Sequence, residues 1–425
     1  MRFNNLQDWL NWQESLNPKE IDLGLGRVSE VLEKLGISSD FFCPVITIAG
    51  TNGKGSTVAF AESILHQADL SVGCYTSPHL FTYNERIRIN QQPISDQVLC
   101  EAFETIDQAR AGIPLTYFEF GTLAALVVFE RFNIDVAILE VGLGGRLDAV
   151  NVIDADVAVI TSIDIDHIDW LGDDIEQIGR EKAGVMRSEK PAVIAFFNPP
   201  QSLPEHARKI NAKLLCLGQN YLFQGLSNSR WKVSLPDMEL DDLPVPNLQG
   251  VFQMQNAAAA IMAIYSLGLE KPPGIQSVKR GLQQVKLMGR YQALRVSPQV
   301  IVDVAHNAQS ANMLRELLGE QPIAGQTLAV VSMLADKAVH EVLETLSPEV
   351  DQWFSAGLNV GRGMDSKNMA QAVRELHTGV KLESCESVAE ACKQAVLLAT
   401  EKDRIIIFGS FYTVAEATNF FNENS

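Results

Sequence analysis

Lys54 stands between two glycines in the run VITIAGTNGKGSTV (Val45–Val58), which passes from β-branched apolar residues straight into an amphipathic pattern. Glycines at 50, 53 and 55 let successive backbone N–H groups turn toward one anion. A helix beginning there adds roughly half a positive charge at its N-terminus, and the lysine ammonium adds a full one. That combination serves phosphate chemistry; a plain strand-to-helix turn would not call for a lysine held between glycines. The run departs from G-x-x-x-x-G-K-[ST] in two places: Ile48 holds the first glycine position, and Gly55 stands where a Mg²⁺-holding hydroxyl is expected.

A metal hydroxyl must then come from Ser56 or from another strand end, because ligands of open α/β sheets gather outside the carboxyl ends of the strands. Three strand exits carry hard ligands: Ser77 in YTSPH, Glu140 in AILEVG and His167 in VITSIDIDHIDW. Each alone reads more simply as a cap or a satisfied structural residue. Together, beside a phosphate loop, they predict an oxygen-rich Mg²⁺ site. The neighbouring Asp164, Asp166 and Asp169 are read as solvated turn residues.

EVGLGGRLDAVN (140–151) is a second glycine-rich strand exit, displaying Arg146 and Asp148. It fails the dinucleotide fingerprint because no helix follows at once, so a substrate loop is the reading. LTYFEFGT (115–122) sets Tyr117, Phe118 and Glu119 before a helix, where aromatic rings can clamp a flat ligand or simply pack. RYQ gives Arg290, a cation at a domain boundary, and VDVAHN gives Asp303, His306 and Asn307 at a strand end. Both positions suit a cleft. Lys182, in REKAG, reads by itself as a surface salt-bridge residue.

These residues need a scaffold that brings strand ends together. VITIA (45–49), VGCYT (72–76), DVAILE (135–140), DVAVIT (156–161) and PAVIAF (191–196) are short, nearly continuous apolar runs separated by helical periodicity. That is the pattern of a parallel sheet covered on both faces. A polar, turn-rich stretch from about 199 to 246 predicts a small β excursion, followed by a helix over 251–267. Alternation restarts with VIVDV (300–304), TLAVVS (327–332), DQWFSA (351–356), GVKLE (379–383) and RIIIFGS (404–410). The expected architecture is α/β in two domains. Residues 1–295 form a P-loop mononucleotide-binding domain with the β excursion, and 296–425 form a smaller Rossmann-like α/β domain.

The 425 residues allow two or three domains, and 46% apolar with 20% charged residues is an ordinary globular balance. A net charge of −18 argues against nucleic-acid binding and polybasic membrane anchoring. The N-terminus has no signal-like apolar core, and no apolar run is long enough to span a bilayer. Six scattered cysteines without a C-x-x-C pair read as reduced packing residues. A cytoplasmic chain is expected, and nothing in the surface pattern demands more than a monomer.

Six motifs, GTNGKGS, SPHL…ERIRIN, EVGLGGRLDAVN, SIDIDHIDWLG, IGREKAG and DVAHN, occur in an order and spacing that resemble the folylpolyglutamate synthases. These are the folate branch of the ATP-dependent Mur-type amide ligases. LTYFEFGT and GGRLDAVN further resemble the bacterial bifunctional form, which also makes dihydrofolate; a monofunctional folylpolyglutamate synthase is the alternative. The resemblance implies that Asn52, Gly53, Lys54, Gly55 and Ser56 hold ATP phosphates. It places Asn256, Arg290 and Asp303 on the nucleotide, and Ser77, Glu140 and His167 on Mg²⁺. Lys182 matches a carbamylated lysine able to hold a second Mg²⁺, and a monovalent cation is a further expected cofactor. Thr116, Tyr117, Phe118, Glu119, Leu147, Asp148 and Ala149 match dihydropteroate positions. Met288 and Ala308 depart from prolines common in the family, which touches backbone stiffness more than chemistry.

The implied substrates are dihydropteroate, L-glutamate and reduced folates, joined by phosphorylating a carboxylate and displacing phosphate with an amine; Lys54, His167 and Lys182 are the catalytic candidates. DWLG (169–172) mimics a GTPase element, but no N-K-x-D for guanine is present. A cell-wall Mur ligase would carry a further domain before the phosphate loop, where about fifty residues stand here.

Overall fold

The first sheet holds β1 (Val45–Ala49), β2 (Val72–Tyr75), β3 (Ile87–Ile89), β4 (Gln92–Pro93), β5 (Val136–Glu140), β6 (Val157–Ile160), β7 (Pro191–Ile194) and β8 (Lys213–Cys216), with short runs of β-branched residues in its central strands β1 and β6. Their order is β4-β3-β2-β5-β1-β6-β7-β8. From β2 to β8 the strands are parallel, while β3 and β4 close one edge as an antiparallel hairpin. β1, β5 and β6 are buried at every position, which is why their sequences are apolar throughout and do not alternate. The computed structural model describes residues 2–17, 19, 22–226, 229–376 and 379–424. It divides into two compact units, Met1–Asn247 with Val251–Lys286, and Leu248–Gly250 with Leu287–Ser425.

The helix that follows β1, Lys54–His66, is buried without interruption from Ser56 to Leu65. It lies between the sheet and two later helices, Val251–Ser266 and Ile275–Gln284. Four consecutive buried alanines, Ala257–Ala260, let the first of these approach closely. Gly281 does the same for the second: a Cβ there would stand 2.7 Å from the Ile64 Cα, and Ser63 Oγ donates to the Gly281 carbonyl at 2.9 Å.

The β excursion is shorter than expected. Residues 199–216 contain a helix, Ser202–Ile210, and β8, which extends the main sheet beside β7. Only β9 (Leu222–Gly225), β10 (Arg230–Ser234) and β11 (Glu239–Pro244) form the separate antiparallel sheet. The edge strand β8 is only four residues long and only partly buried before Cys216, so it stands out little from the polar sequence around it.

The second unit holds β12 (Gln292–Val296), β13 (Gln299–Asp303), β14 (Thr327–Val331), β15 (Gln352–Ala356), β16 (Leu382–Cys385) and β17 (Arg404–Phe408), in the order β12-β13-β17-β14-β15-β16. All pair in parallel except β12, which is antiparallel to β13. A boundary at 295/296 would cut β12 from its partner. The division falls instead at 286/287, because the strand preceding VIVDV hydrogen-bonds within the second sheet. β16 also starts at Leu382, three residues later than the expected run.

Gly281→Ala tests the close helix packing. Overpacking costs about 1–3 kcal/mol, against about 1 kcal/mol gained from helix propensity. The expected result is a lower thermal unfolding midpoint in a calorimetric or circular-dichroism melt.

Candidate active site

The phosphate-type loop is fixed from below by the residues after β6. Thr51 N donates to Ser162 O at 2.9 Å, Asn52 N to Ser162 Oγ at 2.9 Å, and Thr161 Oγ1 to Asn52 O at 2.7 Å. Thr51 Oγ1 and Asp164 exchange a further pair of bonds at 3.0 Å. Two glycines are required by this closeness. At Gly50 (φ +152°) a Cβ would fall 1.9 Å from Thr161 Oγ1, and at Gly53 (φ +88°) 2.6 Å from Asn256 Oδ1. Asn256, from the helix Val251–Ser266, therefore lies directly against the loop. The Lys54 ammonium folds back to donate to the Gly50 and Thr51 carbonyls at 3.0 and 3.1 Å.

Adjacent strands deliver the metal candidates. In the order β2-β5-β1-β6, Ser77 lies two residues past β2, Glu140 ends β5, Lys54 follows β1, and His167 lies beyond β6. Glu140 is buried, and a Cβ on Gly55 would meet only its Oε2, at 3.9 Å. The position vacated by the usual loop hydroxyl thus faces a carboxylate from the next strand. Among the described residues no group of three or more His, Cys, Asp or Glu converges. One carboxylate, one hydroxyl and one imidazole remain, a donor set that fits a hard dication retaining several waters.

Lys54, His167 and Lys182 open into one pocket, with Thr51, Gly142, Gly144 and Asp166 in its wall. Thr51 was missed in the sequence because its role there depends on the loop's path. Asp166 corrects the solvated-turn reading: it lines the pocket and its Oδ1 accepts the His167 N–H at 2.8 Å. His167 itself takes the left-handed conformation, φ 55°, at the start of the short helix Ile168–Leu171.

Lys182 is no surface residue. It is 3% exposed, and burial, reinforced by the charge of Lys54, pulls its amine down to about 7. Asp166 and Asp148 oppose that shift. Asp148 is likewise not displayed but buried. Its carboxylate accepts N–H groups of Leu143 and Val150 at 2.8 and 3.1 Å, shaping the second glycine loop. Burial raises it to about 7 despite those bonds. Arg146, by contrast, points outward and pairs with Glu181 at 2.9 Å. Gly145 lets this loop lie on the Lys182 helix, where a Cβ would come 2.8 Å from the Glu181 carbonyl.

The 115–122 segment does not line the pocket but supports the elements around it. Thr116 and Glu119 form a capping box for the helix Tyr117–Phe132, and Glu119 also binds Arg27 at 3.0 Å. Phe118 fills the space left by Gly142, where a Cβ would be 2.7 Å from its ring. Tyr117 stands edge-on to Tyr83, centroids 5.5 Å apart. A further element carried no motif: Gly24 N donates to Leu147 O at 3.3 Å, and Arg27 pairs with Asp22. Residues 22–27 thereby connect the 116–119 and 147–149 segments; Ala149 is buried behind Asp148. In the second unit, Asp303 accepts the Tyr291 and Ala305 N–H groups at 2.8 Å each, and Arg290 stacks on Phe411 at 5.4 Å. Burial raises Asp303, with Arg290 opposing.

All six cysteines are buried and free. No helix among the described residues is long and apolar enough to cross a membrane.

Residues 48–264 match the Mur ligase middle domain and 289–411 the Mur ligase, glutamate ligase domain. The chain is 43% identical over 411 residues to the Escherichia coli dihydrofolate synthase/folylpolyglutamate synthase, covering 96% of this chain and 94% of that protein. It superposes on Escherichia coli FolC in complex with DHPP and ADP with a TM-score of 0.93, at 41% identity and 99% and 98% coverage. A bifunctional folylpolyglutamate synthase/dihydrofolate synthase with Mn, AMPPNP and L-glutamate bound gives a TM-score of 0.90 at 41% identity and the same coverage. A phosphate loop whose missing hydroxyl faces a neighbouring strand's carboxylate, together with similarity along the whole chain, makes this protein a Mur ligase family member of the dihydrofolate synthase/folylpolyglutamate synthase branch.

Proposed function

We propose that the chain is an ATP-dependent acid–amino-acid ligase that joins L-glutamate to dihydropteroate and to the γ-carboxyl of reduced folates. The observation that carries this reading is the single pocket into which the Lys54 loop, His167 and Lys182 open, walled by the Gly142–Gly144 loop. Relatives that match over nearly the whole chain are described with nucleotide, divalent metal, L-glutamate and DHPP.

A carboxylate is a poor acyl donor because oxide is a poor leaving group. In the proposed reaction an oxygen of the acceptor carboxylate attacks the γ-phosphorus of ATP, the bond to the β-phosphate oxygen breaks, and ADP departs. The glutamate amine then attacks the acyl phosphate carbon; phosphate leaves and the nitrogen loses a proton. Asn52, Gly53, Lys54, Gly55 and Ser56 hold the phosphates, with Lys54 facing the charge that develops on the transferred group. Asn256, against Gly53, and Arg290 and Asp303 of the second unit contribute to nucleotide binding. Ser77, Glu140 and His167 would hold Mg²⁺, which when bound neutralises phosphate-oxygen charge. Lys182, as a carbamate, would offer oxygens to a second Mg²⁺; a monovalent cation completes the expected set. Thr116, Tyr117, Phe118, Leu147, Asp148 and Ala149 bound the pteridine-bearing acceptor, with Glu119 setting the helix they start from. The working form is taken to be a cytoplasmic monomer.

The deciding experiment incubates the purified protein with Mg-ATP, L-glutamate and 7,8-dihydropteroate, following ADP release and product mass. Glutamate added to dihydropteroate and to tetrahydrofolate supports the reading. Addition to tetrahydrofolate alone leaves a monofunctional enzyme, and turnover of neither overturns the folate assignment. Lys54→Ala is expected to lower kcat by roughly 10²–10³-fold, the effect of losing one stabiliser of transition-state charge.

Asp148→Ala removes the brace on the Leu143 and Val150 amides, so the KM for dihydropteroate should rise more than the KM for ATP in steady-state assays. For Lys182, ¹³C-bicarbonate labelling should give a carbamate carbonyl resonance in the wild type and none in Lys182→Arg. Only the neutral amine reacts with CO₂, so that resonance should strengthen as pH rises through about 7.

A further inference from the structure

Arg86 is the one arginine between Arg2 and Arg187 that has no carboxylate partner among the described residues. The others pair with Asp107, Glu119, Glu62, Glu101, Glu181, Asp174 or Asp154. Arg86 instead donates from Nε to the His79 ring at 2.9 Å, and its guanidinium carbon sits 5.3 Å from the Tyr83 centroid and 5.5 Å from that of Tyr117. A histidine brings no negative charge, and two ring faces hold a cation without neutralising it. Arg86 is half-buried. Its Nε is occupied, while the two terminal nitrogens form a fork suited to a carboxylate.

Its position is fixed by the sheet edge. Thr76 N donates to Arg86 O at 2.8 Å, so Arg86 lies opposite the residue preceding Ser77. Its second ring, Tyr117, adjoins Phe118, which packs against Gly142 in the wall of the Lys54 pocket. Arg86 itself is not in that wall. It is therefore near the acceptor segment but set apart from the amines that face the reacting group.

We propose that Arg86 binds the α-carboxylate of the acceptor's terminal glutamate, making it a specificity residue for folate acceptors over dihydropteroate. This rests on the two-acceptor reading above. Dihydropteroate has one carboxylate, and it reacts. A folate acceptor has two on its last glutamate: the γ-carboxyl reacts, and the α-carboxylate must be held elsewhere by a cation. Arg86, packed on two rings and held in place by His79, binds it with little further ordering cost.

The test measures kcat and KM for both acceptors in wild type and Arg86→Gln, and adds a tetrahydrofolate whose α-carboxyl is an amide. Loss of a charge-assisted pair should raise KM for tetrahydrofolate about 10–100-fold while KM for dihydropteroate stays within about twofold. Wild type should lose the same factor with the amide analogue, and Arg86→Gln should lose nothing further, the signature of a direct pair. Turnover of dihydropteroate by the variant also shows that it is folded. Equal KM increases for both acceptors would overturn the proposal, as would a wild type that uses the amide and the acid alike. The amide comparison needs no variant, so a misfolded Arg86→Gln does not rescue the idea. If the wild type uses neither acceptor, the functional reading fails rather than this one.

Discussion

Two lysine amines open into one pocket at the carboxyl edge of a parallel sheet, and much of the site's electrostatics follows from that confinement. Lys54 donates to its own loop carbonyls. Lys182, buried within its field, cannot hold a full charge as easily and is drawn to about 7. Like charges and burial act in the same direction on an amine, since each penalises the protonated form. Asp166 and Asp148 counter part of the effect. The result is an amine that is substantially neutral at physiological pH, the state required for the proposed carbamate.

The same confinement accounts for the glycines. Gly50, Gly53, Gly142 and Gly145 each stand where a side chain would collide with a functional or supporting group: Thr161, Asn256, Phe118 and the Lys182 helix. Gly55 differs, because space exists there and opens toward Glu140. This chain's departure from the common loop spelling is thus a transfer of one oxygen ligand from the loop to a neighbouring strand end, under the metal reading proposed for Glu140. The parallel register makes the transfer possible, because β1 and β5 are aligned with Ile48 opposite Glu140.

An overall charge of −18 is at odds with a chain that handles ATP, glutamate and folate carboxylates. The resolution is local. Most arginines of the first unit are spent on carboxylates that hold helices and loops in place, as with Arg27 on Glu119 and Arg88 on Glu62. Lys54 and Lys182 instead open into the pocket at the carboxyl ends of the strands.

The α/β class, the strand positions and the phosphate loop were legible in the sequence, because parallel strands buried on both faces leave continuous apolar runs and because few structures need Gly-Lys-Gly after one. The six ordered motifs carried the family. Other features needed the tertiary structure. Lys182 in REKAG is spelled like a solvent-facing helix residue, and its helix is covered by the second glycine loop, which approaches closely at Gly145 and at Gly184. Asp166 reads as one of several turn aspartates until the loop after β6 folds back over Thr51. Residues 22–27 join the 116–119 and 147–149 segments through a backbone bond and an ion pair to partners far along the sequence, a relation no local pattern encodes. Periodicity reports which face a residue turns toward its own element; which distant element meets that face depends on long-range packing, and here that packing decided the charge state and neighbours of the candidate site.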